Sequence, residues 1–201
     1  MAQSDQERDH LRQRIAKIRG EYRALMSDCV AFGGGDPEKF IEKGIPQSEL
    51  FMVELIPFIH RYYFTQPINV TKTVLDIGPQ TFGGTRLLQD IHGRCTFNKL
   101  KLEVTALDIT PSFELLKELI APEVELLVQD LYSVEGRTWD CIVCSHVIEH
   151  VPDPAKFVRK CSALARDFVL VACPWQENPI TTKSHINTID KDLVRAVGGE
   201  D

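Results

Sequence analysis

No apolar run in this sequence approaches the roughly 20 residues that a bilayer-spanning helix requires. The first ten residues, Met1–His10, are too polar for a secretory leader. Both absences point to the cytoplasm, where cysteines 29, 95, 141, 144, 161 and 173 stay reduced. Their irregular spacing offers no disulfide framework and suits scattered core filling. An excess of basic residues is missing too: 23 Lys and Arg face 29 Asp and Glu, a formal net charge of -6. A nucleic-acid surface needs clustered Lys and Arg, so neither nucleic acid nor membrane is an expected partner. Internal repeats and low-complexity tracts are absent as well. What is present is ordinary globular material, 43% hydrophobic and 26% charged over 201 residues. That length suits one domain with a sizeable core and a small helical appendage.

The texture changes part-way along the chain. Residues 1–66 read as a helical N-terminal cap or lid, and residues 67–201 as an α/β domain. Leu11, Ile15, Ile18, Tyr22 and Leu25 step by fours and threes along one helix face. That stripe is too short for a coiled coil, so it is expected to pack against the main domain. Gly33-Gly34-Gly35 should break this helix, with Asp36-Pro37 capping a short second one. Gln47–Arg61 reads as a third, its apolar face carried by Leu50, Phe51, Leu55, Phe58 and Ile59 and interrupted by Glu54. From Thr71 the pattern becomes short apolar runs alternating with amphipathic helices. Strands are expected at Thr73–Ile77, Leu102–Leu107, Glu125–Val128, Cys141–Cys144 and Phe168–Ala172. Helices are expected at Thr85–Ile91, Pro111–Leu119, Pro154–Leu164 and Asp190–Val197. Thr110 before Pro111 and Asp153 before Pro154 each pair a cap residue with proline at the first helical position. Such alternation predicts a parallel sheet covered on both faces.

Ligands in an open parallel sheet bind beyond the carboxyl ends of the strands. Those ends carry Asp76-Ile77-Gly78, Asp108, Asp130-Leu131 and Ser145-His146. An acid alone at such a place serves a turn or helix cap as readily as a ligand. Acids at three consecutive strand ends favour a nucleoside site, since a carboxylate accepts from ribose hydroxyls.

Val74-Leu75-Asp76-Ile77-Gly78 resembles the first motif of class I S-adenosylmethionine-dependent methyltransferases, and Ala106-Leu107-Asp108 resembles that family's ribose-binding acid. The run Trp139–Pro154, with Ser145-His146-Val147-Ile148-Glu149-His150 at its centre, is similar to the fourth strand and following turn of the small-molecule branch. The resemblance covers about residues 71–175. It implies a Rossmann-like three-layer α/β/α fold, strand order 3-2-1-4-5, with S-adenosyl-L-methionine as cofactor and S-adenosyl-L-homocysteine as product. It implies Asp76 and Gly78 along the amino-acid portion of the cofactor, with Gln80, Gly83 and Gly84 of the same turn also cofactor-binding. Asp108 and Ile109 would lie at the ribose, Asp130 and the Leu131 backbone at the adenine. Ser145 and His146 would lie near the transferring methyl. A negative lining suits a sulfonium cation.

Two departures stand out. The family's turn has glycines at alternate positions after the first, where this chain has Gln80 and Phe82, with glycines delayed to 83 and 84. A loop longer by one residue, still curling round the cofactor on Gly83-Gly84, is the expectation. The family's sheet also ends in a hairpin of two further strands; this chain stops at Gly198-Gly199-Glu200-Asp201, so it is either shortened or a reduced five-stranded version.

Rival readings use the same residues. His146-Val147-Ile148-Glu149-His150 spells the H-x-x-E-H of inverted zinc peptidases. That chemistry needs a sustained helix and a third ligand, and Pro152 and Pro154 interrupt the segment, so no metal site is expected. Cys141 and Cys144, three apart on a strand, point to opposite faces and cannot act together. A nicotinamide oxidoreductase would want G-x-G-x-x-G, which Gly78 with Gly83-Gly84 does not supply. A non-catalytic binding module with this fold is the alternative from another class. For an enzyme, methyl transfer is an in-line displacement governed by alignment. The acceptor is expected to be a small molecule, and the oligomeric state is open, a homodimer included. His146 and His150 are the candidate general bases where the acceptor must lose a proton. Glu149 is expected to cap or orient, His185 to contact the acceptor, and Tyr22, Tyr62 and Tyr63 to line a lid.

Overall fold

The structure, a computed structural model, describes residues 2–33, 36–63, 70–94, 100–177 and 184–197. The end of the first inter-helix break (Gly34, Gly35), the boundary after residue 66, Cys95, Lys183 and the tail Gly198–Asp201 lie outside the described residues.

Five strands form one sheet: β1 (Val70–Ile77), β2 (Leu100–Asp108), β3 (Glu125–Val128), β4 (Trp139–Ser145) and β5 (Ala165–Ala172), in the order β3-β2-β1-β4-β5. Every pairing is parallel. The expected architecture and strand order are therefore those observed, and β3 has the expected bounds. The helices are α1 (Ala2–Gly33), α2 (Pro37–Tyr63), α3 (Gly83–Arg94), α4 (Phe113–Ile120), α5 (Pro154–Leu164) and α6 (Lys191–Ala196).

Alternation along the strands sorts the core into two layers. Val74, Val104, Cys141 and Val143 pack with Met52, Leu55, Ile59 and Tyr63 of α2 and Leu88 of α3. Leu75, Ile77, Ile142 and Cys144 pack on the other face with Phe157, Cys161 and Leu164 of α5. Cys141 and Cys144 thus lie on opposite faces, as their spacing predicts. Burial pushes the Cys141 and Cys161 thiols up to about 12 and Cys173 to about 11. These are inert core groups.

Four local expectations are corrected. The second and third helices are one, α2, which runs through Pro46 and Pro57. An internal proline costs about 3 kcal/mol. The buried face of α2 holds Phe40, Met52, Leu55, Ile59 and Tyr63, each worth about 1.5–3 kcal/mol when fully covered, and burial wins. That face is also rotated from the expected one, leaving Leu50 and Phe58 exposed. Among the described side chains of α1, Leu25 and Cys29 are the buried ones, against Phe40, Phe82, Phe113 and Leu116, while Leu11, Ile15, Ile18 and Tyr22 stay exposed. A helix of 32 residues is about 48 Å long, and the residues it gives to the core, Leu25, Met26 and Cys29, lie in its last turns. Finally, α4 starts at Phe113 rather than at Pro111, which instead lies in the preceding turn. Asp153 does cap α5, accepting from the Lys156 amide at 2.8 Å.

Candidate functional site

The chain runs outward from β1 through β2 to β3, then returns to place β4 on the other side of β1. The order reverses between β1 and β4, and the carboxyl ends of those strands form the crevice where ligands of such sheets bind. Gly78, Asp108 and Ser145 lie along this rim, held in line by ladder bonds that continue past the strands: Gly78 N to Leu107 O (2.9 Å), Gln129 N to Asp108 O (3.0 Å) and His146 N to Ala172 O (2.8 Å).

Asp76 points to the α2–α3 side and is buried, its Oδ2 accepting from the Thr85 hydroxyl at 2.5 Å. Burial pushes its carboxyl up to about 6; the Thr85 bond opposes this and the neighbouring Asp108 adds to it. Burial also raises Asp108, against hydrogen bonds from the Thr110 and Ile109 amides. Asp108 Oδ1 accepts from Thr110 N at 2.9 Å, and Ile109 beside it is 70% exposed. Asp130 is exposed and caps a single 3-10 turn, Leu131–Ser133, by accepting from Tyr132 N at 2.7 Å. The Leu131 side chain belongs to the core. Asp108 and Asp130 therefore do perform the turn duties that isolated acids perform, and Asp76 is the one set in the interior.

The turn after β1 departs from expectation. Gly78, Gln80 and Phe82 have φ of 69°, 52° and 59°. The alternating left-handed conformation is kept with glycine at its first position only, and α3 opens immediately with Gly83. Gly83 and Gly84 do not supply flexible backbone at the rim. They let α2 approach, since a Cβ on either would fall 2.5 Å from a backbone oxygen of that helix, Ile45 O or Ser48 O respectively. The Gly84 amide is also committed, donating to Ser48 Oγ at 2.9 Å. A Cβ on Gly78 would fall 2.5 Å from Val147 Cγ2, so the turn after β4 closes against it.

His146 also holds a left-handed backbone, φ 55°. Its ring stacks on Phe51 of α2, centroids 3.8 Å apart, and its Nδ1 lies 3.4 Å from Glu149 Oε1. The segment Ile148–His150 is one 3-10 turn, short of the helix a zinc peptidase needs. Glu149 is buried at 1% exposure with neither carboxylate oxygen hydrogen-bonded. Thr81 Oγ1 and Ser145 Oγ are likewise buried without a hydrogen-bond partner. Buried polar atoms are nearly always paired, so these orphans on the turns after β1 and β4 call for a ligand's donors and acceptors.

The segment after β5 folds back on this turn. Ile186 N and Asn187 N both donate to Glu149 O, at 2.9 and 3.2 Å. His185 thereby comes against Glu149, and its Nδ1 donates to Glu177 Oε2 at 2.5 Å. The exposed His150 donates from Nδ1 to Ser184 O at 2.8 Å. Tyr62 and Tyr63 do not line a lid: Tyr63 is buried at the opposite edge, donating to Asp167 at the start of β5, and Tyr62 packs on Phe168. Tyr22 is exposed. Phe51 is the aromatic that α2 brings to the rim. Its helical spacing in the sequence gave no hint of this, because its partner is a histidine 95 positions on.

A doubly wound parallel sheet with acids along its carboxyl rim and buried polar atoms lacking hydrogen bonds at its switch point defines a Rossmann-like domain. Residues 48–178 match the family model described as Methyltransferase domain, and the chain belongs to that family. A ubiquinone biosynthesis O-methyltransferase of Neisseria meningitidis serogroup A is 30% identical over 122 residues, 59% of this chain and 49% of that protein. The chain spans about half the length of that relative. Among solved structures, a 1,6-didemethyltoxoflavin-N1-methyltransferase from Burkholderia thailandensis superposes with TM-score 0.56 at 16% identity, covering 89% of this chain and 78% of that one. The N-methyltransferase NodS from Bradyrhizobium japonicum gives 0.53 at 11%, covering 73% and 71%. At these identities the structures speak for the fold. Among the described residues no helix is long and apolar enough to cross a membrane.

Proposed function

We propose that this chain binds S-adenosylmethionine across the carboxyl ends of β1, β2, β3 and β4 and transfers its methyl group to a small-molecule acceptor. The observation that carries the reading is the set of buried polar side-chain atoms without a hydrogen bond at the switch point, on Thr81, Ser145 and Glu149. Membership of the methyltransferase family says which nucleoside they await. In this reading Asp76 and the Gly78 backbone receive the cofactor's amino-acid portion, with Gln80 at the turn. Asp108 accepts from the ribose hydroxyls, and exposed Ile109 offers an apolar surface to the adenine side with Asp130 and the Leu131 backbone. Gly83 and Gly84 act through packing rather than contact. Ser145 and His146 face the methyl, with His146 and His150 the groups available to take a proton. A cytoplasmic setting accompanies the reading, in keeping with free thiols at Cys29, Cys141, Cys144, Cys161 and Cys173.

Displacement at a sulfonium methyl needs little covalent help from the protein. Aligning acceptor, methyl carbon and leaving sulfur supplies most of the acceleration. The Phe51–His146 stack fixes the His146 ring, and such pairs contribute about 0.5–1.5 kcal/mol.

A binding module without turnover is the second reading. It draws on a turn in which Gly83 and Gly84 are committed to α2 and Val147 sits on Gly78. Calorimetry with S-adenosylmethionine and S-adenosylhomocysteine on the wild type and Asp108→Ala separates the two. Binding that Asp108→Ala weakens, with product formed over a panel of small phenols and amines, is the expected result. No binding by the wild type overturns the proposal, and binding without turnover selects the module.

A further inference from the structure

We propose that Glu149, His150 and His185 bind one divalent transition-metal ion through two imidazoles and one carboxylate. One ligand atom from each residue can be chosen such that all lie within 4.8 Å of one another. Donors about 2.0–2.2 Å from a shared ion sit about 3–4 Å apart, so modest closure completes the set. Sequence reasoning set H-x-x-E-H aside because Pro152 and Pro154 interrupt the sustained helix that a zinc peptidase needs. The fold supplies His185, from 35 residues further on, by clamping its neighbours Ile186 and Asn187 to the Glu149 carbonyl.

Each donor is prepared in a way that packing alone does not require. Glu149 is buried with both oxygens lacking a hydrogen bond. Its nearest basic groups are His146 Nδ1 at 3.4 Å and His185 Nε2 at 3.9 Å; a buried carboxylate without hydrogen bonds costs several kcal/mol, which a cation offsets. His185 gives Nδ1 to Glu177 at 2.5 Å and turns Nε2 toward Glu149 Oε1, 3.9 Å away. That gap is too long for a hydrogen bond and suits two ligands of a common ion. Carboxylate, imidazole and ion in a row is the arrangement that orients metal-ligating histidines. His150 likewise gives Nδ1 to the Ser184 carbonyl, which leaves Nε2 with a lone pair. The two rings stand edge to face at 4.8 Å. Two imidazoles with one carboxylate suit Zn2+, Fe2+ or Co2+ over Mg2+ or Ca2+, which favour all-oxygen sets. The competing account is a protonated His185 bridging Glu177 and Glu149 with no ion. The site assigns His150 to the ion and leaves His146, whose Nδ1 also faces Glu149, for proton transfer. It shares Glu149 and His150 with the methyl-transfer reading but is tested separately from it, because ion binding is measured without cofactor or acceptor.

The test uses the full chain, stripped with a chelator that is then dialysed away, and titrated with ZnCl2 by calorimetry and with CoCl2 by visible spectroscopy. One ion per chain is expected, with tetrahedral or five-coordinate Co2+ bands and no thiolate charge-transfer band. Glu177→Gln should weaken binding about 10- to 100-fold, as loss of an outer-shell partner does, and His185→Ala should weaken it further. Circular dichroism would establish that both variants fold, and neither removes the buried Glu149. Absence of stoichiometric binding by the wild type, a thiolate band, or undiminished affinity in both variants overturns the proposal.

Discussion

Gln80 and Phe82 hold a left-handed backbone without being glycine, and each such residue carries roughly 1–2 kcal/mol of strain. Phe82 is repaid by burial at 0% exposure, whereas Gln80 is exposed. Gln80→Gly should therefore stabilise the protein by up to about 1 kcal/mol, after allowing for glycine's extra freedom in the unfolded chain, as read in urea titrations. Asp76 stores a cost of another kind. Its carboxyl titrates at about 6 in the fold against an ordinary 3.8, so the native state holds the proton more tightly than the unfolded chain does. Its contribution is favourable below pH 4 and is lost as pH rises through 6. Asp76→Asn keeps an acceptor for Thr85 and removes that loss. Stability should rise at pH 7.5 by up to about 3 kcal/mol, at 1.36 kcal/mol per pKa unit, and change little at pH 3.5. Urea titrations at the two pH values check this, and calorimetry should show cofactor affinity falling in the same variant. The acids at strand ends were legible from the sequence. Which of them is buried was not, since that depends on Thr85 and α3 closing over Asp76.

The association of α2 with α3 rests on close approach. Alanine normally improves a helix by about 1 kcal/mol over glycine. In α1, a Cβ on Gly20 meets nothing within 4 Å, and Gly20→Ala should raise stability by up to that amount. At Gly83 the same substitution meets the Ile45 carbonyl at 2.5 Å and should cost about 1–3 kcal/mol. Opposite shifts of the melting temperature in the two variants check the pair. Elements were read best where one signal dominated. The bounds of β3 and α5 are those expected, from an apolar run between turns and from Asp153-Pro154. The division of α2 into two helices failed because the burial that carries it through Pro46 and Pro57 is spread over Met52, Leu55 and Ile59 rather than visible in a local signal. The stripe on α1 has the right period for packing, and no periodicity reveals that the helix outruns its partner.

Across the whole molecule the two edges of the sheet are built differently. At the amino edge Asp140 gathers Thr73 N (2.7 Å), Thr73 Oγ1 (2.9 Å) and Arg166 Nε (3.1 Å), with Lys72 at 3.7 Å. Burial would raise its carboxyl, but the bonds from Arg166 and Thr73 and the Lys72 charge hold it down to about 2. Its stabilisation is complete above about pH 4 and is lost as pH falls through 2. Asp140→Ala should cost about 2–3 kcal/mol at pH 7, shrinking toward pH 2, because it unties β1, β4 and β5 together. Thermal melts over that range check it. At the carboxyl edge Thr81 Oγ1, Ser145 Oγ and both Glu149 oxygens are buried without a hydrogen bond, so one edge is spent on holding the fold and the other on meeting a ligand. The sequence shows acids at both edges alike. Only the cross-strand register tells which are satisfied.

The close contact between α2 and the start of α3 also bears on redesign. Gly44 meets Thr81, and Gly83 and Gly84 meet α2, so three glycines on two segments fit as a single lock. Grafting N-terminal helices from another methyltransferase to change the acceptor would fail unless the donor carries a small residue opposite position 81 and the recipient keeps 83 and 84. Shuffled libraries of this family should therefore place their crossovers outside residues 44–84, inheriting that stretch whole.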